Sequence, residues 1–360
     1  MKIAVGMSGG VDSSVAAALL KQQGHDVTGV TMKIWGGEAA PAITGRHGCY
    51  GPADAADIAD AARVAARLRI PHHVIDLTGE YKHEVLDYFC DEYLAGRTPN
   101  PCVRCNHLIK FGVLVTKARE LGLAFDRFAT GHYARVEHDP ARGRYLLKKA
   151  HDAKKDQSYY LSALTQEQLG LCLFPLGDMT KDEVRQAAID FGLEVAQKPE
   201  SQDFAEMGYQ SLLPGQCKPG PIVDAGGRVL GHHHGIQSYT IGQRKGLGIA
   251  SEKPFYVVAI DAASNTITIG ERDEVYRREF TAKGVNWIAV ASITTPTRFR
   301  VKIRYTHQEA DATVTPLPGG DSVHVRFATP QLAIAPGQIA VFFDGDAVAG
   351  GGTIEETLRG

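Results

Sequence analysis

The chain contains no run of about 20 apolar residues, the length a helix needs to cross a bilayer, so a membrane-spanning role is not expected. Positive charge is not in excess either. The formal net charge is −2 over 360 residues, so no global basic field announces a nucleic-acid partner, although a local basic patch suffices to hold a phosphate backbone. Cysteine is scarce: Cys49, Cys90, Cys102, Cys105, Cys172 and Cys217 are the only six. That is too few for a disulfide framework, and in a reducing compartment such thiols pack in a core, catalyse or bind metal. Lys2 is followed at once by Ile3-Ala4-Val5, which does not resemble a secretory leader, and a cytoplasmic location is expected. Neither a Walker A loop nor a Gly-x-Gly-x-x-Gly fingerprint is present.

What is present begins six residues in. Ile3-Ala4-Val5-Gly6 reads as a buried strand and Val15-Ala16-Ala17-Ala18-Leu19-Leu20 as a helix closing near Gly24. Between them runs Met7-Ser8-Gly9-Gly10-Val11-Asp12-Ser13-Ser14. A strand, a Gly/Ser turn and a helix together aim backbone N–H groups and a helix dipole at an anion. Gly9 and Gly10 let the backbone approach that anion, and Ser8, Ser13 and Ser14 bring hydroxyl donors.

Strand and helix signals alternate over the first two hundred residues. Val27–Met32, His73–Leu77 and Phe125–Thr130 read as strands, and Ala53–Leu68 and Tyr81–Tyr93 as helices. The pattern argues an α/β domain with a parallel sheet covered on both faces, whose ligands bind beyond the C-terminal strand ends. From Gly220 onward, turn signals separate short β-rich runs at Tyr256–Ile260, Thr266–Ile269, Arg298–Tyr305, Ser322–Phe327 and Ala340–Phe343, the spacing of small antiparallel barrels. The expected division is 1–206 for the α/β domain, 207–280 for a small central β domain and 281–360 for a C-terminal β-barrel.

Thr98-Pro99-Asn100-Pro101-Cys102-Val103-Arg104-Cys105-Asn106 is the second landmark. Its prolines place the two cysteines on a loop or at the mouth of the following helix. A thiol at a helix N-terminus, near Arg104 and Lys110, is a candidate nucleophile. Structural zinc would need a second Cys/His pair at ligand spacing, and none stands out. His232-His233-His234 reads as exposed surface, and Cys49, Cys90 and Cys172 as residues in or near the core.

Ser8-Gly9-Gly10-Val11-Asp12-Ser13 resembles the pyrophosphate loop of the N-type ATP pyrophosphatases, whose fold is adenine nucleotide α-hydrolase-like. The whole chain resembles the bacterial tRNA-specific 2-thiouridylases, the MnmA or TrmU family. Besides the loop, the matching stretches are Thr98–Pro101, Cys105-Asn106 with Ile109-Lys110-Phe111, and Ala129-Thr130-Gly131-His132-Tyr133. Further matches are Lys155–Leu161, Lys198–Asp203, Tyr239–Leu247, Pro336-Gly337-Gln338 and Gly350-Gly351-Gly352.

The resemblance implies that sulfur replaces the C2 oxygen of the wobble uridine of tRNA. That oxygen is first adenylated by ATP, and a sulfur nucleophile then displaces AMP. It implies an ATP site at Gly6, Met7, Ser8, Gly9, Gly10, Val11, Asp12 and Ser13, with Met32 and Gly131 on the adenosine side and Mg²⁺ offsetting phosphate charge. It assigns Cys105 as the catalytic thiol left in a disulfide. Asn100, Pro101 and Cys102 would border the flipped base, while His132, Lys155, Asp156, Gln157, Arg304, Tyr305 and Gln338 would contact the anticodon stem-loop. The implied partners are tRNA and a sulfur-donor protein or persulfide relay.

One departure stands out. Most members carry a persulfide-bearing cysteine two residues after Ser-Gln-Asp, where this chain has Phe204 and then Ala205. Three substitutes are open: Cys102 as second thiol of a compact redox pair, an iron–sulfur cluster held by Cys102 and Cys105 with a further ligand such as Asp203 or Cys217, or Cys217 as the partner thiol. A small-metabolite ligase and a non-catalytic RNA-binding protein are the competing readings.

Overall fold

The computed structural model describes residues 1–37, 48–199, 203–205, 212–213 and 217–358. Glu200, Ser201 and Gln202, and the expected boundary at 206–207, lie outside the described residues. The N-terminal sheet is wholly parallel, in the order His72–Asp76, Asp26–Lys33, Lys2–Gly6, Arg127–Thr130, Cys172–Leu173. The order reverses beside Lys2–Gly6, which pairs with Asp26–Lys33 on one side and Arg127–Thr130 on the other. A crevice at such a switch point, beyond the carboxyl strand ends, is where open α/β sheets bind ligands. The loop after Gly6 and the turn at Gly131 both leave the sheet there.

Both faces of the sheet are covered. Helices Val11–Gln22, Asp54–Leu68 and Lys181–Asp190 pack on one side through Val15, Ala17, Val64 and Val184. Tyr81, Val85, Ile109, Leu114 and Phe128 form the other side's core. On that side one continuous helix carries the cysteine pair. It opens at Pro101–Arg104, widens to π-helical turns over Cys105–Val113 and tightens again over Leu114–Glu120. Proline opens this helix rather than forbidding it, because Pro101 takes the first turn, where its missing N–H is no loss.

A four-stranded sheet in the order Val229–His233, Gly220–Val223, Thr266–Gly270, Tyr256–Asp261 forms the central β unit around Ile222, Val257 and Ile267. The C-terminal strands Tyr276–Trp287, Thr297–Lys302, Ala310–Pro316, Val323–Leu332, Ile339–Asp344 and Ala347–Leu358 close into a barrel, the first pairing with both the fourth and the last. Phe280, Val301, Val325, Phe342 and Ile354 fill its interior. A hairpin from the first part of the chain, Arg135–Asp139 and Arg144–Lys148, joins the edge of this sheet through Lys148 and Ala347. Among the described residues, no helix is long and apolar enough to cross a membrane.

Candidate active site

The Gly/Ser loop after Gly6 is tied to its neighbours. Met7 N donates to Val30 O at 2.8 Å and Thr31 Oγ1 donates to Met7 O at 2.8 Å, tying the loop to the adjacent strand. Gly9 has φ +72°, a conformation that glycine adopts without strain, and a Cβ there would lie 2.2 Å from Asp57 O. Gly10 caps the helix with no side-chain bond, leaving first-turn N–H groups as anion donors. Ser13 Oγ instead accepts from Ser8 N at 3.1 Å and shapes the turn. Gly131 closes the cradle, since a Cβ there would sit 2.5 Å from Ser13 N and 2.6 Å from the Asp12 carbonyl carbon. Met32 is half-buried against the sheet core.

Two lysines that sequence reasoning missed complete this end. Lys181, nearly buried, donates to Asp12 Oδ1 at 2.7 Å, and Tyr133 Oη donates to the same oxygen at 2.8 Å. Lys198 Nζ donates to Gly9 O at 3.1 Å and pairs with Asp57 at 2.6 Å and with Asp60. Lys198 belongs to a family-matching stretch, which was the available signal. Lys181 carried none, because only the fold brings it to the loop.

The thiol end lies on the helix covering the sheet's other face, whose Phe111 ring is 5.9 Å from that of His132. Asn100 caps it, its Oδ1 accepting from Val103 N at 3.1 Å. Cys102 is half-buried within the first turn, and Cys105, one turn further, is 8% exposed. Three-residue spacing on a helix makes the two side chains neighbours. Burial pushes the Cys105 thiol up to about 11, with the Lys110 cation pulling the other way. Lys110 has its own proton held more tightly, because the thiols of Cys105, Cys49 and Cys102 outweigh its desolvation. His132 is held well below the usual imidazole range by burial and by Lys110, so it is a neutral ring at pH 7; its Nδ1 lies 2.7 Å from Thr130 Oγ1. Asn106 is buried, with Nδ2 donating to Tyr160 O at 3.1 Å and Oδ1 left without a partner.

The C-terminal barrel reaches into this end. Gln338 Nε2 donates to Thr98 O and Pro99 O, and Thr98 N donates to Pro336 O at 2.8 Å. Tyr159 Oη donates to Ile339 O at 2.9 Å. Tyr305 stacks on Tyr160 with ring centroids 4.6 Å apart. Arg304 points inward, donating to Leu332 O at 3.0 Å. Asp156 is buried too, accepting from Ala150 N, Ser158 N and Ser158 Oγ, and Gln157 Oε1 accepts from Tyr133 N at 2.9 Å. In this state Asp156 and Gln157 shape the loop, while Lys155 is half-buried beside them.

Comparison with known proteins bears on this arrangement. Residues 1–207 match the tRNA methyl transferase HUP domain, 212–271 the tRNA methyl transferase PRC-barrel domain and 277–354 the aminomethyltransferase beta-barrel domain. The tRNA-specific 2-thiouridylase MnmA of Heliobacterium modesticaldum is 48% identical over 99% of this chain and 93% of its own length. The MnmA of Moorella thermoacetica is 49% identical over 99% of each chain. The chain belongs to the MnmA family of tRNA-specific 2-thiouridylases. A solved 4-thiouridine synthetase in complex with RNA and ATP is 19% identical over 56% of this chain and 44% of its own, with a TM-score of 0.35.

Within that family frame, two readings of the sequence need correction. Cys49 is exposed rather than packed in the core, because it is the outward residue of the short strand Gly48–Tyr50. His233 is fully buried, its two ring nitrogens occupied by Asn265 O and Gly235 N. Cys217 lies against Gly235 in the central β unit, where a Cβ on that glycine would be 2.8 Å from Cys217 Cβ. Ala205 is buried in the strand Asp203–Ala205, which pairs parallel with Gly48–Tyr50. Among the described residues, no group of three or more His, Cys, Asp or Glu side chains is gathered as metal ligands; the side chain of Asp203 lies outside the described residues.

Proposed function

We propose that the enzyme is a cytoplasmic sulfurtransferase that exchanges the C2 oxygen of the wobble uridine of tRNA for sulfur, using one ATP per base. The observation that carries this reading is the closeness of two sites in one chain: a glycine-lined anion cradle at the sheet switch point and a cysteine-bearing helix whose Phe111 ring lies 5.9 Å from His132, the residue after Gly131. The cradle suits the phosphates of ATP, because the first-turn N–H groups after Gly10 have no side-chain cap, while Gly9 and Gly131 let the loop pack against Asp57 and the helix start where a Cβ would clash. Mg²⁺, when bound with the nucleotide, offsets phosphate charge, and Asp12 is the carboxylate at that position.

In the first step the uridine C2 oxygen attacks the α-phosphorus and pyrophosphate leaves. Asn100 and Pro101, with the Tyr160–Tyr305 pair, form the surroundings of the flipped base; His132, Lys155, Asp156, Gln157, Arg304 and Gln338 are the further RNA-side residues of this reading. In the second step a persulfide sulfur on Cys102 attacks C2, and the C2–O bond to AMP breaks. Cys105 then attacks the Cys102 sulfur, the S–S bond breaks, its electron pair stays with the base as the thiocarbonyl, and a Cys102–Cys105 disulfide remains. A dithiol reductant restores the pair. Lys110 helps the buried Cys105 ionise when it is required.

The test is a single-turnover assay with ATP and a substrate transcript, following pyrophosphate and 2-thiouridine together. Both products are expected in equal amounts from wild type, with Cys105→Ala retaining pyrophosphate release and losing the thiolated base. Orthophosphate in place of pyrophosphate, or full thiolation by Cys105→Ala, would sink the reading.

A further inference from the structure

We propose that Cys49 is a third working thiol, the surface point at which sulfur from an external protein persulfide enters before passing to the Cys102–Cys105 pair. The inference rests on the thiolation reading above and extends it outward from the base. A protein donor must bring its persulfide to a thiol that it can touch. Cys105 is 8% exposed and its thiol is raised to about 11, which leaves roughly one molecule in ten thousand as thiolate at pH 7. The chain has no cysteine at 205 to take that part.

The other cysteines are poorly placed for it. Cys172 is buried in the parallel sheet, the Cys90 thiol donates to Leu212 O at 3.2 Å, and Cys217 sits in the central β unit against Gly235. Cys49 alone combines exposure with nearness to the pair. Its strand alternates buried, exposed, buried, so Gly48 and Tyr50 face inward while Cys49 faces out. The Tyr50 ring stacks on Tyr81 at 5.4 Å, and Tyr81 packs in the same core as Val103 and Cys105. The same strand pairs in parallel with Asp203–Ala205, Tyr50 opposite Ala205. Electrostatics agrees with the geometry: Cys49, Cys102 and Cys105 all act on Tyr81 and on Lys110. Cys102 also acts on Tyr159 and Tyr160, the wall that meets the barrel. Cys49 is thus the exposed thiol, on the strand that pairs with Asp203–Ala205, while Cys102 is half-buried and Cys105 buried on the helix.

The chemistry balances without net oxidation until the base is reached. The Cys49 thiolate attacks the terminal sulfur of the donor persulfide, the donor S–S bond breaks and the donor leaves as its thiolate. Cys102 repeats the exchange on the Cys49 persulfide, releasing the Cys49 thiolate for another cycle. The two-electron change is confined to the last step, in which Cys102 and Cys105 are oxidised to a disulfide while the transferred sulfur is reduced.

The full-length Cys49→Ser variant tests this, assayed anaerobically with ATP and transcript. One arm supplies a cysteine desulfurase with L-cysteine as the protein persulfide, and the other supplies inorganic polysulfide, a small donor whose sulfane sulfur passes to the Cys102 thiolate as a shorter polysulfide leaves. Wild-type pyrophosphate release, a tenfold or greater loss of thiolation from the desulfurase and undiminished thiolation from polysulfide are expected. Mass spectrometry of wild type after desulfurase treatment without ATP should find one added sulfur on the Cys49 peptide. Unchanged thiolation by Cys49→Ser from the desulfurase would overturn the proposal. So would loss from both donors together with pyrophosphate release, which marks a structural role, or loss of an iron-dependent absorbance, which marks a ligand role. Failure of wild type to release pyrophosphate would remove the underlying reading as well.

Discussion

Gln338, in the closed barrel, donates its side-chain amide to the carbonyl oxygens of Thr98 at 3.0 Å and Pro99 at 3.1 Å, immediately before the Asn100 cap of the cysteine helix. The barrel therefore helps to position the cysteine helix. Each bond is worth about 1 kcal/mol net to the fold, while misplacing a catalytic helix by a fraction of its width is far more damaging to rate. Gln338→Ala is expected to lower single-turnover thiolation about tenfold or more with only a few degrees' loss in thermal midpoint. A melt shifted in proportion to the rate would count against the positioning role.

Gly131→Ala places a methyl group where Ser13 N and the Asp12 backbone already lie, at 2.5 and 2.6 Å. The neighbours are backbone and the first turn of a helix, so they yield poorly. ATP affinity is expected to fall by one to two orders of magnitude, with the binding of transcript unchanged. Equilibrium binding of each ligand separately is the measurement.

Lys181 is nearly buried and bonds Asp12 at 2.7 Å. Removing one partner of such a pair leaves the other charge poorly compensated, a loss on the order of 3 kcal/mol. Lys181→Met is expected to weaken pyrophosphate release much more than Lys181→Arg does. Equal defects in the two variants would remove the charge argument.

Cys105 has its thiol raised from 9 to about 11 by burial. The sign follows from the two states. Below pH 9 both folded and unfolded chains hold the proton and the stabilisation is complete, whereas between 9 and 11 the unfolded chain ionises first and stability declines. Stability curves across that window should show the fall in wild type and a smaller one in Cys105→Ala. Alkylation at pH 7 should accordingly label Cys49 much faster than Cys105, and Lys110→Met should slow labelling of Cys105 further. Peptide mapping after brief iodoacetamide treatment reads both effects.

Tyr305 stacks on Tyr160 at 4.6 Å, one ring from each side of the domain junction. Aromatic platforms of this kind are worth about 1–3 kcal/mol per stacked base. Tyr305→Ala is expected to raise the KM for transcript about tenfold while ATP binding holds. A change confined to kcat would place the stack away from RNA.

The opening strand–turn–helix and the parallel alternation were legible because both are local, written in consecutive residues. The cysteine helix was legible in place but not in onset, since Pro101 could be read either as a breaker or as a first-turn residue. What escaped was long-range. Lys181 meets Asp12 across 169 positions, and no periodicity announces such a pairing. Cys49 was misassigned because a three-residue strand has too little pattern to reveal its outward face. Arg304 and Asp156, expected from the resemblance to contact RNA, have backbone partners within the fold that no local pattern announces.

The hairpin Arg135–Lys148 belongs by sequence to the nucleotide domain and by hydrogen bonding to the barrel sheet. Arg144 fastens it further, donating to the carbonyls of Ile288 and Trp287 at 2.8 Å. The two lobes thus share a splice rather than a hinge. Any rotation of the barrel against the first domain must therefore either break these bonds or carry the hairpin along, and with it the adjoining turn at Gly131 and His132.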